Sequence, residues 1–497
     1  MKIERILIED QMAPIGLDEK KPVFSWLLTA EEGEQNLMQS ACRIVVRTGE
    51  DTVWDSGKME TGVSTGIGYE GEALQPCTKY EVKAEVWDNH GGKAEAESSF
   101  ETGLMDSLYA AWEGAEWIGA PHATVCAENR GVFTIESEFR MEGGKGEAGI
   151  VFGANDFRLN DHTKNELGME GENYIRYAVC LEEGDARLEI YRVGYAPEDT
   201  AEKPFAVTKL VNWKEKTQEI LTPENADAFH KLTVEVDGNV AYAYVDGILV
   251  DAIEEHGFFG TKVSGRQLNP RGNNDVLPYP RLNEIGFYAG KGTTGYFKNL
   301  TVRNVRKPSA EIVRETPEGR LDGGKSIFAD QIPVENGYFK VEDSQITADP
   351  SHHSIPMLRS CISCQKEKKL ASARLYITAR GIYDCRINGQ EITEDLLRPG
   401  LTQYDHRINY QTYDITGLMK PGRNGIGVTL ASGWWSEAQT FVVKNFNYFG
   451  DKESLLAKVV MKYKDGSREV FGTNTEDWKY FGEGPYLFSS YFAGEQY

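Results

Sequence analysis

Two groups of side chains combine aromatic rings with charged groups, a pairing that suits the binding of sugars. The two groups are Arg398, Tyr404 and Asp405, and Trp434, Trp435 and Glu437. A sugar ring can stack on an indole face while a carboxylate accepts hydrogen bonds from the hydroxyl groups. The same residue types also suit packing, in which Trp435 and Tyr404 would fill a core between sheets. Arg398 would then pair with Asp405, and packing is the preferred interpretation.

A run of acidic residues in the first half of the chain could supply a pair of carboxylates for glycosidic hydrolysis. Its members are Asp156, Asp161, Glu166, Glu170 and Glu172. The run is polar and contains Gly and Asn, which is typical of a surface loop, so solvated charge is the preferred interpretation. A second loop of turn-forming residues, Asn269 to Asp275, is a candidate for the rim of a ligand groove.

The seven cysteines are an odd number and are thinly spread, so they do not form a disulfide framework and suit a reducing compartment. Cys361 and Cys364 form a single CxxC motif with no second pair of ligands nearby in the sequence. Two buried or unpaired thiols are therefore preferred over a zinc or redox site. The sequence identifies no metal ligands, and the identity of any metal stays unknown.

Length and charge limit the classes of function. A chain of 497 residues exceeds what one core usually supports, so about three domains are expected. The formal net charge of -23 makes nucleic acid a poor partner. No apolar run reaches the roughly 20 residues of a membrane span. Met1 is followed by charged residues rather than an apolar signal segment, so we expect a cytoplasmic protein with no membrane partner.

Short strands must position the candidate residues, because β-rich runs and turn signals alternate throughout the chain. In the run from Tyr80 to Trp87, apolar and charged residues alternate as in a strand with one solvated face. Trp26, Trp54 and Trp87 are expected in the core of this first sandwich. Near the candidate site, Asn388-Gly389 predicts a two-residue hairpin turn.

Several motifs resemble the N-terminal modules of one enzyme family, the bacterial α-L-rhamnosidases of glycoside hydrolase family 78. The first set comprises Pro14–Asp18, Pro22–Trp26, Trp54–Gly57, Tyr69–Gly71 and Tyr80–Asp88, which resemble the fibronectin type III-like module. The second set comprises Glu116–Ala120, Ala373–Tyr383, Leu397–Gly400, Gly433–Trp435 and Thr473–Trp478, which resemble the galactose-binding-like module. Between these parts, Lys231–Gly247 and Tyr296–Val302 are similar to concanavalin A-like jelly rolls of the laminin G type.

The resemblance implies an all-β chain of multidomain β-sandwiches: fibronectin type III-like, concanavalin A-like jelly roll and galactose-binding-like. The expected division is a fibronectin type III-like sandwich at 1–106, the first strand or strands of the galactose-binding-like module at 112–129, an inserted jelly roll at 130–306, a connector at 307–325, and the galactose-binding-like rhamnosidase accessory sandwich at 326–497.

In the family, a catalytic α/α barrel that follows these modules releases L-rhamnose with inversion. The chain ends at Tyr497, where members of the family would enter that barrel, and none of its acids corresponds to the catalytic pair. The resemblance therefore implies an accessory, carbohydrate-binding region without catalytic residues. Its expected partners are a rhamnose-containing oligosaccharide or glycoside and a downstream catalytic domain. Calcium is a candidate cofactor, because some of these modules hold L-rhamnose through it.

An alternative of a different class remains open. The polypeptide could be a stand-alone carbohydrate-binding or scaffold protein with no hydrolase activity. The two hypotheses share the sugar-binding residues named above and differ in whether a catalytic barrel follows.

Overall fold

Strands account for nearly all regular structure, which confirms the predicted all-β fold class. The computed structural model describes residues 1–127, 132–156, 172–182, 185–196, 198–211, 220–237, 240–250, 263–264, 281–305, 307–437, 447–490 and 494–497. Short helical turns occur at Tyr109–Trp112, Glu142–Gly144, Thr416–Leu418 and Gly433–Ser436. Among these described residues, no helix has both the length and the apolar character needed to cross a bilayer.

The N-terminal sandwich pairs a three-stranded sheet, in the order β1-β2-β5, with a four-stranded sheet, in the order β4-β3-β6-β7. Its strands are β1 Lys2–Ile8, β2 Val23–Thr29, β3 Gln39–Thr48, β4 Asp51–Asp55, β5 Ile67–Gly68, β6 Lys79–Asp88 and β7 Lys93–Glu101. The alternation predicted for β6 is confirmed, because Tyr80 and Val82 face the core and are buried. Trp26 is in the core and Trp54 packs against it.

Trp87 corrects one prediction, because it lies on the opposite face of β6 from the core residues. It is half-buried, and the ammonium groups of Lys58 and Lys93 lie 5.1 and 5.3 Å from its ring centroid. Side chains in a strand alternate between faces, so the parity that buries Val86 turns Trp87 outward. Its indole forms cation–π contacts at the surface instead of filling the sandwich.

A 15-stranded sheet forms the central region. It follows the short strand β8, Ile118–Gly119, and comprises β9 Val132–Met141, β10 Gly146–Ala154, β11 Tyr174–Glu182, β12 Asp185–Val193, β13 Phe205–Leu210, β14 His230–Asp237, β15 Val240–Val245, β16 Ile248–Leu249, β17 Val263–Ser264, β18 Glu284–Phe297, β19 Leu300–Asn304, β20 Lys307–Thr316, β21 Gly319–Arg320, β22 Val334–Glu335 and β23 Tyr338–Ala348. Its core contains a cluster of rings in which Phe287 lies 4.6 Å from Phe297 and 5.0 Å from Phe328.

The segment predicted as a connector, 307–325, contains strands of this central sheet. β20 pairs with β19, and β23 pairs with β18 beyond residue 326. The sequence did not predict this pairing, because β20 is mostly polar and contributes only Ile312 and Val313 to the apolar core. Glu315 is buried beside them, and burial raises the pKa of its carboxyl group.

The C-terminal sandwich has two five-stranded sheets, one in the order β27-β26-β29-β24-β32 and one in the order β28-β25-β30-β31 with β8 on β30. Its strands are β24 Met357–Cys364, β25 Leu370–Arg380, β26 Ile382–Ile387, β27 Gln390–Glu391, β28 Gln411–Asp414, β29 Gly422–Ala431, β30 Ser454–Tyr463, β31 Arg468–Gly472 and β32 Lys479–Phe481, followed by the hairpin β33 Phe488–Ser490 and β34 Gly494–Gln496. Ile118 pairs with Leu455, so the chain before the central region contributes a strand to this sandwich.

The predicted hairpin turn at Asn388-Gly389 is confirmed. Ile387 pairs with Gln390 across it, and the two turn residues have φ angles of 53° and 82°. Positive φ at both positions is what a two-residue hairpin loop requires, and Asn and Gly adopt it most readily.

Residues 102–117, here called the strap, connect the N-terminal sandwich to β8 and cover the outer face of the sheet that contains β30. Lys458 is 1% exposed, and its ammonium group donates to the carbonyl of Ala111 at 2.6 Å and to Glu113 at 2.8 Å. Arg468 donates two hydrogen bonds to the same carboxylate, at 2.6 and 2.8 Å. Within the strap, Trp112 is buried in an apolar cluster with Tyr376 of the sheet. The strap is therefore held by matched charges as well as by packing.

The N-terminal sandwich contacts the same sheet directly. Arg374 on β25 donates two hydrogen bonds to Glu101, at 2.6 and 2.7 Å. The hydroxyl of Tyr410 accepts from the backbone N–H of Leu104 and donates to Asp18, at 2.7 and 2.6 Å. A Cβ at Gly103 would lie 2.1 Å from that hydroxyl, so this close approach requires glycine.

Replacing Glu113 by Ala is expected to lower the free energy of unfolding by about 1–3 kcal/mol, because the buried ammonium of Lys458 would keep only one acceptor. Urea unfolding followed by tryptophan fluorescence measures the change. Glu60→Ala is the matched control, since Glu60 pairs with Lys58 in a salt bridge exposed on both sides, and its removal should change stability by less than about 0.5 kcal/mol. Equal losses in the two variants would contradict the importance of the strap.

The strap also predicts a pH dependence. Hydrogen bonds from Arg468 lower the pKa of Glu113 to about 2, against the effect of burial, from an ordinary value of 4.5. Since the folded pKa is below the unfolded one, the stability from this group is complete above about pH 4.5 and is lost as the pH falls toward 2. The melting temperature of Glu113→Gln should therefore decrease less than that of the unaltered chain over this window. Parallel curves would refute the assignment.

Candidate functional site

A wide groove crosses the face of the C-terminal sandwich that points away from its core. Its volume is about 1480 Å³, and it runs over β24, β26 and β29. Alternate residues of these strands point into it, because the intervening ones fill the core. The groove lining combines apolar and charged side chains, among them Met357, Arg359, Asp384, Leu396, Leu397, Arg398, Thr429, Phe481, Tyr486 and Glu495. A groove with apolar walls and a few polar groups has the general composition of ligand-binding sites.

Arg398 and Asp384 form the polar centre of the groove. Arg398 is 7% exposed, and its Nη2 donates to Asp384 Oδ1 at 3.0 Å. The guanidinium lies 5.1 Å from the ring centroid of Tyr383. Tyr413 is also beside it, but no group in the described part of the chain accepts a well-aligned hydrogen bond from Nε or Nη1. Both nitrogens are themselves buried, so the member of this pair that a ligand in the groove can reach is Asp384, whose side chain is 47% exposed.

The predicted ion pair between Arg398 and Asp405 is wrong. Asp405 is exposed and lies beside the imidazole of His406, with 3.9 Å between His406 Nε2 and Asp405 Oδ2. Arg398 pairs with Asp384 instead. The two sequence neighbours separate because Arg398 packs over a buried ring, whereas Asp405 lies on a solvent-facing turn. Only Arg398 of the six predicted sugar-binding residues lines the groove.

Tyr404 and Trp435 lie in an aromatic cluster with Phe449. The ring centroids are 5.9 Å apart for Tyr404 and Trp435, and 5.1 Å apart for Tyr404 and Phe449. Tyr404 is buried, and its hydroxyl donates to the carbonyl of Gly400 at 3.0 Å. The indole N–H of Trp435 donates to the carbonyl of Lys452 at 3.0 Å. These contacts describe packing, and Trp434 is the half-buried neighbour on the same helical turn.

Glu437 lies in a different environment, beside a cavity of about 30 Å³ that Glu453 also lines. The two carboxyl groups are 3% and 5% exposed, and Ser436 Oγ donates to Glu453 at 2.5 Å. A cavity of this size accepts about one water molecule and excludes a sugar ring. The aromatic–acid group predicted from Trp434 to Glu437 is thus divided between a packed cluster and a small cavity.

The acidic run in the first half of the chain is described only at its ends. Asp156 is fully buried, so its prediction as solvated loop charge is wrong, whereas Glu172 is exposed. Asp161, Glu166 and Glu170 lie outside the described residues, as does the loop from Asn269 to Asp275.

The thiols of the CxxC motif lie on opposite faces of β24. Cys361 is exposed and accepts a hydrogen bond from Arg423 Nε at 3.3 Å, whereas Cys364 is buried next to the hydroxyl of Tyr463 at 3.9 Å. Residues three apart in a strand point in opposite directions, so this spacing cannot bring both sulfurs to one ion.

Sequence reasoning missed Asp384 and a polar cluster of Asp322, His352 and His353. Asp384 gave no signal, because a single acid inside a strand usually means a solvated face. The histidines did give one, since two adjacent imidazoles are unusual in a chain with eight histidines. Their ligand atoms and that of Asp322 all lie within 4.8 Å of one another.

Comparisons with known proteins cover the two outer sandwiches and the whole chain. Residues 3–106 match the family model for a Rha78A-like, N-terminal immunoglobulin domain, and residues 368–497 match the model for an alpha-L-rhamnosidase N-terminal domain. Immunoglobulin and fibronectin type III domains share the β-sandwich architecture, so the first match agrees with the expected fold.

Curated relatives are alpha-L-rhamnosidases. One from Streptomyces avermitilis is 26% identical over 99% of this chain and 42% of its own length. One from Formosa agariphila is 39% identical over 26% of this chain and 14% of its own length. A crystal structure of the S. avermitilis enzyme complexed with L-rhamnose matches with a TM-score of 0.53 at 20% identity, over 99% of this chain and 42% of that one. That likeness shows the fold. The chain spans less than half the length of these relatives.

Tyr404→Ala is expected to destabilise the chain by about 3–5 kcal/mol, because it removes a buried ring from the cluster with Trp435 and Phe449. Asp405→Ala is the control at the next position, where the exposed side chain should contribute less than about 0.5 kcal/mol. Urea unfolding measures both. If the stability of Tyr404→Ala equalled that of the control, the ring would not be a packing residue.

Proposed function

We infer that this chain, which carries the N-terminal domains of the α-L-rhamnosidase family, is the accessory β-sandwich region of an α-L-rhamnosidase. The observation that carries this inference is the pair of family matches on both outer sandwiches, together with one relative that aligns over 99% of the chain. The central sheet lies between the two matched regions. No observation favours the alternative of a stand-alone binding or scaffold protein.

The proposal extends to the whole enzyme. A catalytic α/α barrel would release terminal L-rhamnose with inversion, and the partners of this chain would be that barrel and a rhamnose-containing glycoside. Glu437 and Glu453 are two carboxylates that line the same cavity of about 30 Å³. Because no sugar ring fits there, we assign no catalytic residue to this chain.

The groove supports a carbohydrate-binding role for the C-terminal sandwich. Phe481 is 50% exposed at the groove wall, so its ring face is accessible to the C–H groups of a sugar. Asp384 is partly exposed and can accept hydrogen bonds from hydroxyl groups, and the hydrogen bond from Arg398 at 3.0 Å holds its carboxylate in place. Glu495 adds a carboxylate to the lining, and calcium stays a candidate cofactor at these acids.

The purified chain is expected not to hydrolyse p-nitrophenyl α-L-rhamnoside, because the cavity that Glu437 and Glu453 line is too small for a sugar ring. Release of p-nitrophenol measures this directly. The proposal of an accessory region would be overturned by turnover that disappears in Glu437→Gln or Glu453→Gln.

Isothermal titration with L-rhamnose, with and without calcium, tests binding in the groove. We expect Asp384→Asn and Phe481→Ala each to weaken binding by about tenfold, since each removes one ligand contact. Asp405→Asn is the matched control, because Asp405 is exposed outside the groove. Circular dichroism verifies that each variant folds. Binding that is insensitive to both groove variants would exclude this site.

A further inference from the structure

Two chain segments run side by side where the central sheet joins the C-terminal sandwich. The outgoing segment passes Val125 and the returning segment passes His352, and the two residues form a β-bridge with N···O distances of 3.2 and 3.4 Å. Ala127 N–H donates to Ser351 Oγ at 3.1 Å, which extends the contact. The relative position of the two regions therefore depends on this crossing.

Three side chains with metal-binding groups meet at the crossing. Asp322 comes from the loop after β21, and His352 and His353 come from the returning segment between β23 and β24. His353 Nε2 lies 3.1 Å from Asp322 Oδ2, and the two imidazole centroids are 4.6 Å apart at an interplanar angle of 66°. One ligand atom from each residue falls within 4.8 Å of the other two, which is close enough to make the three residues candidate ligands of one ion.

Neighbouring groups hold these ligands in the orientation that a metal site requires. Asp322 Oδ1 accepts from Arg320 Nε at 2.7 Å and from Gly324 N–H at 2.8 Å, which directs Oδ2 toward the histidines. His352 Nδ1 lies 2.7 Å from the carbonyl of Pro350. Since a carbonyl can only accept, Nδ1 carries the proton and the lone pair is on Nε2. That atom is buried without a hydrogen-bond partner in the described part of the chain. Metal-bound histidines characteristically have such an arrangement.

The cluster also opens to a cavity of about 720 Å³, into which Asp322 and His353 extend. Their side chains are 9% and 19% exposed, so an ion could reach them without unfolding the junction. His122 on the outgoing segment stacks on His353, with ring centroids 6.4 Å apart, and lines the same cavity. The cavity thus leaves room for a water molecule or a fourth side chain at the ion.

We propose that Asp322, His352 and His353 bind a divalent transition-metal ion of the Zn²⁺ type at this crossing. Two imidazoles and one carboxylate suit Zn²⁺, which binds nitrogen and oxygen ligands, and they suit Ca²⁺ poorly because Ca²⁺ prefers all-oxygen sets. Three protein ligands leave a coordination position open to the cavity. The ion would tie the loop after β21 to the returning segment and so fix the central sheet against the C-terminal sandwich. This site is separate from the groove and from any calcium bound there.

Metal titration of the full 497-residue chain, prepared without a histidine tag and stripped with EDTA, tests the proposal. Competition with a chromophoric chelator should give one Zn²⁺ per chain, and Co²⁺ should give the visible absorption of a bound, low-symmetry ion. His353→Gln and Asp322→Asn preserve the shape of the side chains and should each weaken Zn²⁺ binding by at least tenfold. His406→Gln is the matched control, because His406 is an exposed imidazole with a carboxylate neighbour and has no third ligand among the described residues.

Thermal denaturation provides a second readout that does not depend on the chelator. Zn²⁺ should raise the melting temperature of the unaltered chain and of His406→Gln, and should have no effect on the two cluster variants. Melting temperatures in EDTA show whether those variants are folded without the ion. Failure of the unaltered chain to bind Zn²⁺ would overturn the proposal. Binding that His406→Gln reduces as much as the cluster variants do would also overturn it.

Discussion

The arrangement of the two outer sandwiches depends on one buried charge, the ammonium group of Lys458. Removing an ammonium ion from water costs several kcal/mol unless good acceptors replace the solvent. The strap supplies those acceptors through the carbonyl of Ala111 and the carboxylate of Glu113. Its path across the sheet is therefore constrained by electrostatics as well as by apolar contact. The ion pair of Glu101 with Arg374 then fixes the N-terminal sandwich against the same sheet.

The groove and the histidine cluster belong to one continuous part of the C-terminal sandwich. Ser354, which follows the cluster directly, accepts a hydrogen bond from Gly484 N–H at 2.7 Å and donates its own N–H to the carbonyl of Gly482 at 2.6 Å. Tyr486, two residues after Gly484, lines the groove. The position of the groove wall is thus tied to the crossing between the central sheet and the sandwich. A ligand in the groove and an ion at the crossing would both act on this short segment.

Sequence patterns predicted the parts of the fold that depend on local rules. Alternation in β6 and the Asn388-Gly389 turn are encoded within a few residues, and the structure confirms both. Pairings between distant groups were not predictable in the same way. Arg398 had an acid seven residues away in the sequence, yet it pairs with Asp384 on a neighbouring strand. The prediction for Trp87 was wrong because its aromatic character suggested burial, whereas its position in the strand places the side chain on the outer face.

Of the six residues predicted from the sequence to bind sugar, only Arg398 lines the groove. Tyr404 and Trp435 instead pack in an aromatic cluster, and Glu437 lies beside a cavity too small for a sugar ring. Residue types alone do not distinguish a ring that stacks on a sugar from one that stacks on another ring, because both uses need the same surface. The polar cluster at the crossing required the pairing of β20 and β23 with the central sheet before Asp322 could be placed beside the histidines.

The pairing of β8 with β30 also has a consequence for synthesis on the ribosome. Ile118 cannot pair until Leu455 has been synthesised, 337 positions later in the chain. At about 5–20 residues per second, translation of that stretch takes on the order of 20–70 s. All strands of the central sheet emerge within this interval, so that sheet can fold while β8 is still unpaired. The C-terminal sandwich is then completed around a domain that already has its structure, and its nascent edge strand is the part most exposed to misassembly.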